Sequence, residues 1–367
     1  MELTSRSQSR RIWHRITGLR LRSSERAVND SRYTVGEMQL DEYVSRIAEV
    51  YRANDRHRSL WDVWCHALHH AAAIGERLRK RAPLDRIFDE IADFSLWLFT
   101  AVHKLSGPIS DPRRQNETCP ETLIRIKSGC SDLLWHRYPN VCPFCFVRRS
   151  RDGEFEQGEK LDAACDCALD AGPEPQDKYE KRAAVHRLRR HGEKMRSAKP
   201  KSIDGWQQMF RLLFRAKLAQ LSLAEVMLHL MEELGEVSDA MVRMYSYTQQ
   251  NFLKGEPHER QLRLESQIAD VFSWLFSLVE AIDRNRHNLP EYEQVSLKSP
   301  AIGDGSIHLS EIIWARYGSD DLHSFFCPFC KDVVCSCPLI FVPATRGVEE
   351  FKSLLNNENL PLEPNGH

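Results

Sequence analysis

Two kinds of side chain in this sequence are spaced for chemistry: cysteines in close pairs and carboxylates in helical register. Cys142-Pro-Phe-Cys145 is followed by Cys165-Asp-Cys167, and Cys327-Pro-Phe-Cys330 by Cys335-Ser-Cys337. Four thiolates in two close pairs suit tetrahedral Zn2+, and such sites are closed and structural. The spacer 146–164 predicts a long excursion in the first cluster, and 331–334 a compact knuckle in the second. An iron–sulfur cluster is the alternative, since CxC pairs also serve that metal. A redox CxxC is disfavoured because no βαβ pattern surrounds it. The carboxylates are Glu232, Glu233 and Glu236 in one helical run, where spacings of three and four share a face. Asp270 follows in an apolar stretch beside Val271, Phe272, Trp274 and Leu275. A carboxylate held there needs pairing or a cation, and a hard divalent ion such as Mg2+ or Mn2+ satisfies it.

These residues sit in blocks that occur twice, in the same order. Ile91-Ala92-Asp93-Phe94 matches Ile268-Ala269-Asp270-Val271, and Trp97-Leu98-Phe99 matches Trp274-Leu275-Phe276. Trp135, Arg137 and Tyr138 match Trp314, Arg316 and Tyr317, and the CPFC pairs follow. Apolar spacing predicts helices over 41–53, 59–80 and 86–104, and again over 205–220, 222–245 and 261–283. The expected organisation is a basic arm (1–35), a first repeat with its cysteine cluster (36–168), a charged solvent-facing linker helix (169–200), a second repeat with its cluster (201–345) and a tail (346–367) with one short helix. The fold class is all-α.

Glu-Glu-x-x-Glu on one helix and Glu-x-x-Asp on a later one resembles the MazG-like nucleoside triphosphate pyrophosphohydrolases. The resemblance covers 205–285 well and 40–105 less well. It implies a four-helix-type module, Mg2+ on the acidic side chains, and hydrolysis of an NTP or dNTP to the monophosphate and pyrophosphate. By that reading Glu232, Glu233, Glu236 and Asp270 are catalytic, with Mg2+ on Glu233, Glu236, Asp270 and the carbonyl of Gln267. The chain departs from the pattern in both copies. Gln267 stands where a carboxylate is expected, and the interval from Glu236 to it is long. In the first copy Glu90 and Asp93 are intact, but Ala72 and Ala73 align with Glu232 and Glu233, leaving Glu76. Arg243, Lys254 and Arg263 are the candidate phosphate-binding cations. A fused pair implies an intramolecular pseudo-dimer, with further homo-oligomerisation open.

Composition narrows the classes. A formal net charge of −1 supplies no global field toward nucleic acid or membrane. No run is apolar enough for a membrane span, and no apolar segment follows the N-terminal arginines. Eleven cysteines, an odd number, argue against a disulfide framework and for metal in a reducing, cytoplasmic setting. His66, His69 and His70 share a helix, but their expected role is packing, with His69 aligned to His229. The leading expectation is a Mg2+-dependent pyrophosphohydrolase with two structural Zn2+ ions. The alternatives are a catalytically degenerate scaffold that binds nucleotide or protein, and a zinc-knuckle nucleic-acid binder whose aromatics stack bases.

Overall fold

Helices make up most of what the computed structural model describes, namely residues 37–55, 58–106, 129–144, 146, 178–245, 257–288, 306–319 and 324–337. The basic arm, the C-terminal tail and most of the first cysteine cluster lie outside these residues. The helices are α1 Leu40–Asp55, α2 Leu60–Arg79, α3 Leu84–Ser106, α4 Cys130–Arg137 and α5 Lys178–Lys194. They continue as α6 Ile203–Leu213, α7 Arg215–Gln220, α8 Leu223–Tyr245, α9 Pro257–Asn285 and α10 Leu309–Tyr317. A two-stranded antiparallel ribbon, β1 Gly318–Ser319 and β2 Ser324–Phe325, is the described sheet. No described helix is long and apolar enough to cross a membrane.

Local sequence starts the long helices in the same way in both halves. The Ser59 hydroxyl accepts from the Asp62 amide at 3.1 Å, and the Asp62 carboxylate accepts from the Ser59 amide at 2.8 Å. At α8 the Glu225 amide donates to the Ser222 hydroxyl at 3.3 Å, and the Ser222 amide to the Glu225 carboxylate at 2.7 Å. Such a reciprocal cap satisfies amides that the first turn leaves without partners, and losing it costs about 1 kcal/mol. Val63, Ala67, Ala71 and Ile74 on α2 are buried, as are Val226, Leu230, Leu234 and Val237 on α8. These are the i, i+4 and i+3 positions of one stripe.

The stripes bury against α3 and α9, so that α2 pairs with α3 and α8 with α9. The two pairs then face each other. Phe99 on α3 stacks with Phe272 on α9 at 5.8 Å, and the Trp64 indole donates to the Ser238 hydroxyl at 2.8 Å. One continuous apolar core joins both halves of the sequence. An antiparallel bridge between Gln39 and Ser202 ties the starts of α1 and α6 together.

The short helices cross over. α4 packs against α9, and α10 packs against α3, so each closes on the opposite half. Their starts are pinned by matched acids: the Ser131 amide donates to Asp41 at 3.0 Å, and the Ser310 hydroxyl donates to Asp204 at 2.6 Å. Buried Gln207 donates to the Ile307 carbonyl and accepts from the Leu309 amide, both at 2.8 Å. The expected linker helix is present as α5, but it is not simply solvent-facing. Ala184 and Leu188 are buried, and the Gly192 carbonyl accepts from the Trp135 indole at 2.9 Å.

Candidate functional site

Matched contacts on α2 and α8 set the register of the two acidic faces. His66 stacks on Trp97 at 4.2 Å and 12°, and His229 stacks on Trp274 at 4.4 Å and 13°. Glu76 pairs with Lys80 one turn on, as Asp239 pairs with Arg243. With the caps at Ser59 and Ser222, these contacts place His69, His70 and Ala73 at the positions of Glu232, Glu233 and Glu236. Glu76 corresponds to Asp239. The expected alignment of Ala72 and Ala73 with Glu232 and Glu233, and of His69 with His229, is corrected by three residues. Gly75-Glu76 and Gly235-Glu236 supply a false anchor, and a three-residue slip is nearly one helical turn, so apolar periodicity does not expose it.

In the second half, Glu232 is exposed and lies 3.2 Å from His229. Glu233 is half-buried, and its carboxyl is pushed up to about 8 by burial, then by the charges of Asp270 and Glu236, with Arg137 opposing. Asp270 is buried and fully engaged. Arg137 donates from Nε to Oδ1 and from a terminal nitrogen to Oδ2, both at 2.9 Å, and the Tyr138 hydroxyl donates to Oδ1 at 2.5 Å. The Gln267 carbonyl oxygen is buried with no hydrogen-bond partner among the described residues.

The first half repeats the clamp with different neighbours. Arg316 grips Asp93 through Nε at 3.0 Å and a terminal nitrogen at 2.9 Å, and the Tyr317 hydroxyl donates to the same carboxylate. Arg316 also reaches Asp89 at 3.0 Å. His70 Nδ1 lies 2.9 Å from Glu90, whose other oxygen is 3.4 Å from Arg77. Among the described residues, two groups bring three or more potential ligand atoms within 4.8 Å of one another: His70, Glu90 and Asp93, and the four cysteines of the second cluster. Glu232, Glu233, Glu236 and Asp270 form no such group.

Each Arg–Tyr pair therefore crosses to the aspartate of the other half, over 133 residues in one case and 223 in the other. A bidentate fork on a carboxylate is among the strongest side-chain pairings, and breaking it leaves a charge in the interior. Burial opposes the charge on Arg137, and Asp270 outweighs it, holding the guanidinium above its ordinary value. Burial and then Asp270 push Tyr138 well up, and burial and Asp93 do the same to Tyr317. The sequence carried the signal for these four residues, a repeated Arg-Tyr and a repeated aspartate in an apolar helix, without showing that they meet. Two of the three candidate phosphate-binding cations lie beside one carboxylate. Arg243 holds Asp239 at 2.7 Å, Arg263 lies 3.8 Å from the same carboxylate, and Lys254 falls outside the described residues.

The second cysteine cluster is a formed site. Cys327, Cys330, Cys335 and Cys337 converge, with the Cys327 and Cys337 sulfurs 3.8 Å apart. Tetrahedral Zn–S bonds of about 2.3 Å put sulfurs about 3.8 Å apart, so the cage has the right edge for a metal such as zinc. The loop turns through Lys331 at φ 66°, with the Lys331 amide donating to the Cys327 carbonyl at 2.9 Å. Burial works against the Cys330 thiolate, but amides of Asp332 and Ser336 outweigh it and bring the thiol down to about 6. Burial pushes Cys335 up, with neighbouring cysteine thiols adding to it. In the first cluster Cys142 is buried beside α4, while Cys145, Cys165 and Cys167 lie outside the described residues.

No family model, no curated protein and no solved structure matches the chain.

Proposed function

We propose that the chain is a fused pair of MazG-like helical modules, an intramolecular pseudo-dimer that works as a binding scaffold for a nucleotide or a protein partner and not as a pyrophosphohydrolase. One observation carries this reading: Asp270, the aspartate that the resemblance assigns to Mg2+, and its first-half equivalent Asp93 are each engaged by an Arg–Tyr pair from the opposite half. A carboxylate with both oxygens committed to a guanidinium is a poor ligand for a hard cation, which competes with a positive charge already in place. The replacement of three glutamates by His69, His70 and Ala73, and of a fourth carboxylate by Gln267, supports the same conclusion. The four thiols of the second cluster hold Zn2+ as a structural staple, and their free state suits a reducing compartment such as the cytoplasm.

A second reading has its own observation. Burial first, and then the like charges of Asp270 and Glu236, push Glu233 up to about 8. A divalent cation would offset those charges, and Mg2+ held by Glu233 and Glu236 would supply charge neutralisation and an activated water for attack on an NTP or dNTP. Pyrophosphate release from a panel of NTPs and dNTPs with Mg2+ or Mn2+ separates the two. The scaffold reading expects no release above buffer. Turnover that disappears in both Glu233→Gln and Glu236→Gln overturns it and installs the hydrolase.

A further inference from the structure

The metal cage of the second half is built against a helix of the first. The Cys335 amide donates to the Val50 carbonyl at 2.7 Å, and the Asn54 side-chain amide donates to the Cys335 sulfur at 3.2 Å. The Tyr51 hydroxyl faces the Cys327 thiol, and Tyr43 packs edge-on against Phe325 at 5.3 Å. Asn54 is only 6% exposed. A buried primary amide is costly unless bonded, and here a thiol sulfur accepts from it. The matched helical positions in the second half read differently. Phe214 stands at the position of Tyr51, and Lys217 at that of Asn54, with its ammonium 4.6 Å over the Trp274 ring. The two donors are thus particular to the helix that meets the described cage, not a property of the repeated sequence.

We infer that Asn54 and Tyr51 are positioning residues for the Cys327–Cys337 metal site, so that metal loading and the seating of α1 on the opposite half are one coupled equilibrium. Four thiolates around a divalent ion leave an excess of negative charge on sulfur. N–H and O–H donors spread that charge, fix the sulfur lone pairs and strengthen the site, and outer-shell donors of this kind change metal affinity about 10- to 100-fold. The coupling is reciprocal: whatever seats α1 tightens the metal, and the metal seats α1 to the same extent. The inference rests on a metal occupying the four thiols.

The test uses the full chain loaded with Zn2+ or Co2+. Asn54→Ala is expected to lose Zn2+ to a chelator at about 10-fold lower competitor concentration than wild type. Its Co2+ derivative is expected to show a shifted sulfur-to-cobalt charge-transfer band, which loss of packing alone would not produce. Lys217→Ala, at the matched position, is expected to leave both readouts unchanged. Tyr51→Phe removes one oxygen and keeps the ring, so it provides the same comparison if Asn54→Ala fails to fold, with a several-fold loss expected. Hydrogen exchange across 47–54 is expected to quicken on metal removal from wild type. Unchanged affinity and an unchanged cobalt spectrum in folded Asn54→Ala or Tyr51→Phe overturn the inference. Wild-type chain that takes up neither ion overturns the metal reading itself, a result distinct from a wild type that binds metal beside variants that bind it equally well.

Discussion

The first and second acidic faces are built on equivalent helices and share almost none of their polar side chains. Where α8 carries Glu232, Glu233 and Glu236, α2 carries His69, His70 and Ala73. Where α3 carries Glu90, α9 carries Gln267. Asp93 and Asp270 alone stand in both, and each is gripped by an Arg–Tyr pair from the opposite half. The element kept twice is the one that joins the halves. The side chains that differ are those that the resemblance would assign to a catalytic metal. Asp270, a buried acid in an apolar helix, is held in the structure by side chains of the other half.

The sharpest way to break this comparison is to remove each aspartate in turn. Asp270→Ala leaves the buried Arg137 guanidinium without its carboxylate, and urea unfolding is expected to show a loss of about 3–5 kcal/mol. Asp93→Ala is expected to cost less, about 1–3 kcal/mol, because Arg316 still has Asp89 at 3.0 Å. Equal losses would show that the two clamps do the same structural work despite their different neighbours.

Glu233 sharpens the contrast through pH. Its folded carboxyl sits at about 8 against an ordinary 4.5, so the native state holds a proton that the unfolded chain releases. Stability from this group is therefore lost as pH rises from about 4.5 to 8. Glu233→Gln is expected to flatten that decline and to raise stability near pH 8 by about 1 kcal/mol, after discounting for solvent screening. Thermal melts from pH 4 to 9 measure it. His70→Gln, at the matched position, is expected to produce no such gain. It breaks a contact with Glu90 instead.

Smaller effects probe the surface between α2 and α8. Ser238→Ala removes the acceptor of the Trp64 indole and is expected to cost about 1–2 kcal/mol. Gly75 occupies the matched position on α2, and a Cβ there would meet Met227 at 3.7 Å, an ordinary contact. Gly75→Ala is therefore expected to stabilise by roughly 0.5–1 kcal/mol through helix propensity. Calorimetry on the pair reads opposite signs at equivalent places.

The helical class and the long helices were legible because their stripes repeat every three or four residues over several turns. The second cysteine cage was legible from CPFC and CSC alone, since four thiols so close in sequence have few ways to avoid meeting. The register of the acidic face was not. A slip of almost one turn returns the same face, and a shared Gly-Glu pair rewarded it. The partners of Asp93 and Asp270 were hidden for another reason: helical periodicity describes what lies within an element, and these contacts join elements far apart in the chain. Asn54 gave no signal, because a single asparagine near a helix end most often caps it or faces water.

The crossed placement of the short helices has a kinetic consequence. Contacts spanning 133 and 223 residues cannot form until a very long loop has closed. Loop closure is paid for before such contacts return anything, which slows folding of chains dominated by them. During synthesis α3 emerges with Asp93 long before Arg316 exists, so the first half waits with a bare carboxylate in an apolar helix. The order of synthesis thus leaves the Asp93 clamp open until α10 is made.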